Sequence, residues 1–531
     1  MRIGAALVAL VSSLVGPLIG SRAAEASSFD YLSSGSMGRT RCLPSGEPPP
    51  GGWQDVDFDD STWGPPDGGL AGCEVLRARR HFTVADERSR LAALDLQISY
   101  RDGFVAFLNG VEVARRRLLD GGALAIDPHG GEAEHFFVPV TPAMLRAGDN
   151  VLAVEVRPYR VGRSPSVDTS LSGGDAPRIV RGPYLVHVGV DEAKLIVETD
   201  LPTKVEVRWG LAGKPLARRA VSDKIDTRHP IVLVGTLPGH TYRYRVYAQE
   251  PGGGPAAATV EAAFHTPPTA SHPLRFVVMG DVRSGHDIHA EIVKRVAAED
   301  PDLILGTGDL VETGGDDAEW QRYFSIEASL LAQVPMYSAM GNHDHARRDE
   351  GLARFLSLWD HPAGATWWSF DVSGVHFVLL DSDQYKDAAQ LEWLKADLAA
   401  ARQRKVRAMF ACVHHGPWSS GLHGDNPLAI AQYAPVLDAG GVTVLFAGHD
   451  HHYERGKVGN LNYFISGGGG AELRPAHCGV AGKRRCPPRV KAFYNEHHYI
   501  VVDLQKDRAR ICAKRPDGTP LEDCVTVPLR K

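Results

Sequence analysis

The sequence predicts two all-β domains followed by an α/β domain, and three observations carry that reading. Up to about residue 267, apolar and polar residues alternate in short runs broken by Gly, Pro and Asp. From Leu274 onward, compact apolar runs alternate with longer helical stretches. The length of 531 residues, 43% of them apolar and 23% charged, exceeds one ordinary core and suits about three domains.

That composition excludes a disordered, fibrous or coiled-coil chain. The 58 Lys and Arg against 64 Asp and Glu give a net charge of -6 with no basic block, so neither nucleic acid nor anionic lipid is an expected partner. Histidine is unevenly spread: 12 of the 23 fall between His286 and His452.

Arg2, the apolar run from Ile3 to Ile19 and the small residues Ala23, Ala24 and Ala26 follow the order of a secretory signal over residues 1–26. Ser12, Ser13, Gly16, Pro17 and Gly20 interrupt that run, which argues against a membrane anchor, and no second long apolar run predicts a membrane span. A secreted or periplasmic protein is therefore expected. Seven cysteines fit an oxidising compartment, with three bridges and one spare thiol. Nearness in sequence suggests Cys42 with Cys73, Cys478 with Cys486 and Cys512 with Cys524, although six cysteines allow many pairings. Cys412, inside the apolar run 406–413, is the expected spare.

Residues 41–160 carry expected strands at 94–100, at 103–108 ahead of the Asn109-Gly110 turn, and at 150–156. The segments WQDVDFDDSTW, SYRDGFVAFLNGVEVAR and LRAGDNVLAVEV resemble the galactose-binding-like jelly rolls of secreted hydrolases. The resemblance implies either carbohydrate binding or a structural spacer, with Trp53 and Trp63 as sugar-stacking rings in the first case and core residues in the second. The Gly, Ser and Pro-rich residues 161–177 read as a linker. Residues 178–267 are again β-rich, with strands expected at 193–199, 204–209, 229–235 and 241–249. Their RGPYL, KVEVRWG and LPGHTYRYRV segments resemble the fibronectin type III-like domain that precedes the catalytic domain of purple acid phosphatases.

The α/β domain is expected over 274–505, with a β-hairpin extension over 506–531. Strands are expected at 274–279, 303–306, 335–340, 376–380, 406–413 and 442–447, with helices near 289–298, 318–332, 388–401 and 427–439. Functional residues in such a sheet belong at the carboxyl ends of strands. The absence of GxGxxG and GxxxxGK[ST] argues against a dinucleotide or P-loop enzyme.

Five strand ends carry metal-binding residue types in order: Gly280-Asp281, Gly308-Asp309, Gly341-Asn342-His343-Asp344, His414-His415 and Gly448-His449-Asp450-His451. Any one of them is an ordinary loop or cap. The whole series exceeds what capping requires, because carboxylate, imidazole and amide oxygen together suit Fe, Zn or Mn. His449 and His451, two residues apart, point to the same side.

The array resembles the calcineurin-like metallophosphoesterase superfamily, in particular its purple acid phosphatase branch, whose GHxHxYER ending is close to GHDHHYER here. The resemblance implies an αββα sandwich holding two metal ions. It assigns Asp281, Asp309 and His451 to the first ion and Asp309, Asn342, His414 and His449 to the second, with Asp309 as the bridge. A family histidine falls about nine residues after the ligand, and His423 stands nine after His414, so the resemblance favours His414 over His415. His343 and His423 then orient the phosphate and protonate the leaving oxygen, while a metal-bridging hydroxide attacks phosphorus. The implied activity is that of an exported acid phosphatase-like phosphomonoesterase. A phosphodiesterase cleaving cyclic nucleotides or glycerophosphodiesters is the first alternative, and a carbohydrate-binding surface protein with a vestigial catalytic domain the second. Two departures stand out: Glu312 replaces a tyrosine three residues after Asp309, and Arg283 replaces a glycine or histidine two residues after Asp281. The missing tyrosinate predicts no purple colour and weakens the case for Fe. Arg283 is expected to clamp a phosphate oxygen or to neutralise the carboxylates, since a guanidinium has no lone pair for a metal. The loops 344–350, 419–426 and 467–489 are expected to select the substrate.

Overall fold

The computed structural model describes residues 28–530 apart from 45–49, 65–72, 86–90, 92, 119–132, 140–143, 159–163, 252–255, 260, 271, 347–348, 362–363 and 475–485. The expected signal segment, 1–26, lies outside the described residues. No described helix is long and apolar enough to cross a membrane.

The N-terminal unit packs a four-stranded sheet, ordered Ser28–Leu32, Val167–Gly174, Ala93–Tyr100, Ala133–Pro139, on a five-stranded one, ordered Arg39–Leu43, Val75–Val84, Gly148–Arg157, Gly103–Leu108, Val111–Arg116. Its core is filled by inward residues of both sheets, among them Leu96, Ile98, Phe104, Leu152 and Val154. Trp53 and Trp63 are buried and stacked with ring centroids 6.3 Å apart, so neither ring is available to a sugar. Two boundaries move. The sandwich begins at Ser28 rather than 41, and the expected linker 161–177 contains the strand Val167–Gly174, paired with Ala93–Tyr100. Within this Ser- and Gly-rich stretch, Val167, Thr169 and Leu171 alternate inward, which supplies the strand pattern that composition hid.

The second unit is built around the long strand Glu192–Leu211. Its first half pairs with Ile179–Val188 and Asp226–Val234, and its second half with Arg218–Val221 and Thr241–Gln249. The register breaks between Glu198 and Thr203, around Pro202, so one strand serves both layers of a sandwich. Leu195, Val197, Val207, Trp209 and Tyr244 fill the space between them.

The third unit is an αββα sandwich. One sheet runs Met336–Ser338, Leu303–Gly306, Leu274–Met279, Tyr499–Leu504, Arg508–Lys514, Val525–Pro528. The other runs Trp368–Val372, Val375–Leu379, Ala408–Val413, Val444–Ala447, Leu461–Ser466, Tyr453–Val458, Val490–Tyr494. Phe276, Phe377, Phe410 and Phe446 interlock edge to face and stacked between the sheets, each burial contributing about 1.5–3 kcal/mol. Helices α1 (His286–Glu299), α2 (Asp317–Leu331) and α3 (Asp349–Trp359) cover the first sheet, and α4 (Ala388–Gln403) and α5 (Ala434–Gly440) the second. In α1, His289, Ile292, Val293 and Val296 form the buried stripe, and the helix ends at Asp300 in a left-handed conformation. The residues 506–531, expected as an appended hairpin, extend the first sheet and contribute Ile511 and Val527 to the inter-sheet core.

The disulfides Cys42–Cys73 and Cys512–Cys524 are present, Cys486 is disulfide-bonded, and Cys412 is free and buried. Cys478 lies outside the described residues.

Candidate metal centre

The carboxyl ends of Leu274–Met279, Leu303–Gly306, Ala408–Val413 and Val444–Ala447 converge, because the first two strands are parallel neighbours in one sheet and the last two in the other. Asp281, Asp309 and His414 are fully buried there, and their ligand atoms lie within 4.8 Å of one another. Those of His414, His415 and His449 form a second such group. Asp281, Asp309 and His449 have φ of 52°, 54° and 72°, a left-handed conformation rare outside glycine. The ligand-type residues thus make the sharp turns themselves. The preceding glycines serve mainly for close approach: a Cβ on Gly341 would lie 2.2 Å from Asp309 Oδ1, and one on Gly448 2.5 Å from Asp281 Oδ2.

His414 Nδ1 donates to Thr307 O at 2.8 Å, which turns Nε2 toward Asp309 Oδ1 at 3.3 Å and Asn342 Oδ1 at 3.2 Å. Metal bonds of about 2.0–2.2 Å set neighbouring ligand atoms roughly 3.0–3.4 Å apart, so these two spacings suit one coordination shell. The His449 ring is 5.1 Å from that of His414, and its backbone N–H donates to Asp281 at 3.0 Å. Asp309, Asn342 and His414 thus present ligand-type atoms at spacings that one cation could bridge, with the His449 ring beside them.

The other side of Asp309 differs. His451 Nδ1 donates to Glu472 O at 2.6 Å, leaving Nε2 toward Asp281 Oδ1 at 3.6 Å and the Arg283 Nη2 group at 3.4 Å. Arg283 Nε donates to Asp309 Oδ2 at 3.2 Å, and its Nη1 to Glu312 Oε2. The guanidinium therefore stands among the groups that the resemblance gives to the first ion. Asp281, Asp309 and His451 do not fit a metal while Arg283 holds this position, and the expected phosphate-clamping role of Arg283 would fall to the second N–H of Nη1 or Nη2.

Electrostatics follow from burial and from these contacts. Desolvation would lower His414, but Asp309 and Asp281 raise it to about 10. Desolvation would raise Asp309, yet His414, His343 and Arg283 hold it far below the usual carboxylate range. Burial raises Asp281, against the pull of His414.

His343 N donates to Asp309 Oδ1 at 2.9 Å and its Nδ1 to Glu312 O at 2.7 Å, so the imidazole stands beside the cluster with Nε2 uncommitted to either bond. The His423 ring is 4.0 Å from that of His449, and Arg474 Nη1 donates to its Nε2 at 2.6 Å. Burial, with Arg474 and His414 nearby, lowers His423. His415, also 4.0 Å from His449, is fixed by Ser382 at 2.6 Å and lowered by burial to about 3. His415, Trp418, His423, Asn426 and His449 line a cavity of about 300 Å³ that opens beside the cluster.

Three functional residues had no role in the sequence reading. Asp344 is fully buried, and its carboxylate accepts from the backbone N–H groups of Asp309, Leu310 and Gly341, each at 2.9 Å. It ties two ligand loops together, and its place at the end of the Gly-Asn-His-Asp run is the only sequence signal for it. Asp450 accepts from His423 N at 3.2 Å and from Ser419 Oγ, so it anchors the loop bearing His423. Arg474 reaches the site from a separate loop, and no short-range pattern marks it.

Comparison with known proteins places residues 274–453 in the calcineurin-like phosphoesterase family. The chain therefore carries a metallophosphoesterase domain. Its relatives are purple acid phosphatases: purple acid phosphatase 22 of Arabidopsis thaliana is 28% identical over 293 residues, 50% of this chain and 63% of that protein. The human tartrate-resistant acid phosphatase type 5 is 29% identical over 276 residues, 44% of this chain and 82% of that protein. The alignment with the Arabidopsis protein thus spans under two thirds of the relative's length. Among solved structures, the purple acid phosphatase PPD1 of yellow lupin seeds shares the fold with a TM-score of 0.61 at 15% identity, over 86% of this chain and 93% of that one.

Proposed function

We propose that this chain is an exported, metal-dependent phosphohydrolase of acid phosphatase type that acts on phosphomonoesters. One observation carries the reading: Asp281, Asp309 and His414 bring ligand atoms within 4.8 Å of one another in a buried group, and His414, His415 and His449 form a second group beside a cavity lined by further histidines. A cation held by Asp309, Asn342, His414 and His449 would be Fe, Zn or Mn, and when bound it polarises the phosphoryl group and makes water more acidic.

The chain's own groups supply the rest. Thr307 fixes the His414 tautomer so that Nε2 faces the ion. His343, standing beside Asp309, orients the phosphoryl oxygens. His423, whose Nε2 accepts from Arg474, would donate the Nδ1 proton to the departing alkoxide from the cavity wall, and Arg474 beside it attracts the phosphate charge. His415, Trp418 and Asn426 line the cleft of about 300 Å³ into which the leaving group would extend. Expected export is supported by the two disulfides, and N-terminal sequencing of the mature protein tests it.

Purified protein is expected to release phosphate from an aryl phosphate faster than it cleaves a bis-aryl phosphate. Chelation and His414→Ala should each lower turnover at least ~100-fold. Turnover that survives complete metal removal would overturn the mechanism. Faster bis-aryl cleavage would favour the diesterase alternative.

A further inference from the structure

The two halves of the cluster have different unmet needs. Around His414, the acceptor atoms of Asp309 and Asn342 face a single imidazole nitrogen at 3.3 and 3.2 Å. One proton on that nitrogen serves only one of the two oxygens, and although His343 N also donates to Asp309 Oδ1 at 2.9 Å, no second donor to Asn342 Oδ1 is present among the described residues. A cation between them satisfies all three atoms. On the opposite side, every acceptor already has a donor. Asp309 Oδ2 receives Arg283 Nε at 3.2 Å, His451 Nε2 receives Nη2 at 3.4 Å, Glu312 receives Nη1, and Asp281 receives His449 N at 3.0 Å.

We infer that this chain holds one metal ion, in the half formed by Asp309, Asn342, His414 and His449, and that the Arg283 guanidinium permanently takes the place of a second. The inference rests on the metal-dependent reading above. Its physical content is that Arg283 is a cation that cannot leave by losing a proton. The side chain is only 8% exposed and lies between Asp309 and Glu312, so a metal entering that half must either displace a buried, paired charge or sit against a like charge. The Glu312 carboxylate is the outer partner of the guanidinium and helps to hold it there.

Counting metals in the full-length protein tests this. The protein is saturated with Mn²⁺ or, separately, Zn²⁺, desalted and analysed by elemental mass spectrometry, with electron paramagnetic resonance on the Mn²⁺ sample. The expected result is one ion per chain and the hyperfine pattern of an isolated Mn²⁺. Arg283→His, which removes the cation and offers a lone pair, is expected to take two ions and show an exchange-coupled spectrum. His414→Ala is expected to lose the retained ion. Two ions in the wild-type protein, or one ion still in Arg283→His, overturns the inference. Should Arg283→His lose its near-ultraviolet circular dichroism, Arg283→Gly replaces it, and the wild-type count decides alone. A phosphate-release assay on the same samples separates the two readings. Turnover with two ions in the wild-type protein sinks only the one-metal inference, whereas one ion without turnover sinks only the phosphohydrolase.

Discussion

Along Gly448 to Glu454, side chains divide between two tasks: His449 and His451 turn to the cluster, whereas Asp450 and Glu454 hold the opposite loop. Asp450 accepts from His423 N and Ser419 Oγ, and Glu454 from Ser420 N at 2.8 Å, with Tyr463 bracing Glu454 at 2.7 Å. Asp450→Asn is therefore expected to lower turnover about 10-fold while metal content stays at the wild-type value, because the loop that carries His423 loses its charged anchor. Steady-state kinetics beside elemental analysis checks this, and a parallel loss of metal would contradict it. The sequence reading singled out six ligand-type residues because each stands within four residues of a strand's end, where chemistry shows as an interruption of an apolar run. It left Asp344 and Asp450 without roles because their work is to accept backbone N–H groups from loops distant in sequence, 35 residues away for Asp344 and Asp309 and 27 for Asp450 and His423. Nothing in composition reports such partners.

Helix α2 begins where the Asp309 loop ends, and its first turn carries a buried carboxyl group. Asp316 caps it through Ala318 N at 3.1 Å, and Glu319 reaches back to accept from Thr313 N at 2.7 Å. Burial, followed by the nearby Asp316 carboxylate, raises Glu319 to about 8. The folded state then binds a proton between the ordinary carboxyl pKa near ~4.3 and about 8 that the unfolded chain does not. The stabilisation is thus complete below the unfolded value and is lost as pH rises through the folded one. Glu319→Gln keeps an acceptor for Thr313 and removes the titration. Its melting temperature relative to wild type should rise between pH 5 and 9, by an equivalent on the order of 4 kcal/mol; a flat difference would contradict the assignment. Elements were legible where apolar runs stand alone, as at Leu303–Gly306, found at its observed bounds, or where a helical stripe is clean, as in α4. Helix α3 and the strands Tyr453–Val458 and Leu461–Ser466 went unpredicted. Both strands follow directly on the ligand motif, whose polar residues blur the alternation, and their pairing with Val490–Tyr494 and Val444–Ala447 is long-range.

The three units are joined by specific polar contacts as well as by the chain. Arg117 of the N-terminal sandwich pairs with Asp316 at 3.0 Å, His135 N donates to Gln321 at 2.9 Å, and Tyr184 and Tyr244 of the second sandwich donate to Leu358 O and Ala332 O. The N-terminal sandwich therefore abuts the helix that follows the Asp309 loop, which favours a bracing role over a sugar-binding one. Trp53→Ala should destabilise that sandwich by roughly 3–5 kcal/mol while leaving the metal count unchanged. Calorimetry with elemental analysis checks it, and an unaltered transition would mean the ring is not part of the core. The catalytic sheet sets an order of events as well. Leu274–Met279 lies between Leu303–Gly306 and Tyr499–Leu504, with Leu274 opposite Leu504. During synthesis, Phe276 and Val278 wait for a neighbour that emerges only after most of the chain has been made. That face of the sheet therefore stays open until late, and it closes only when the tail is sewn in and Cys512 meets Cys524.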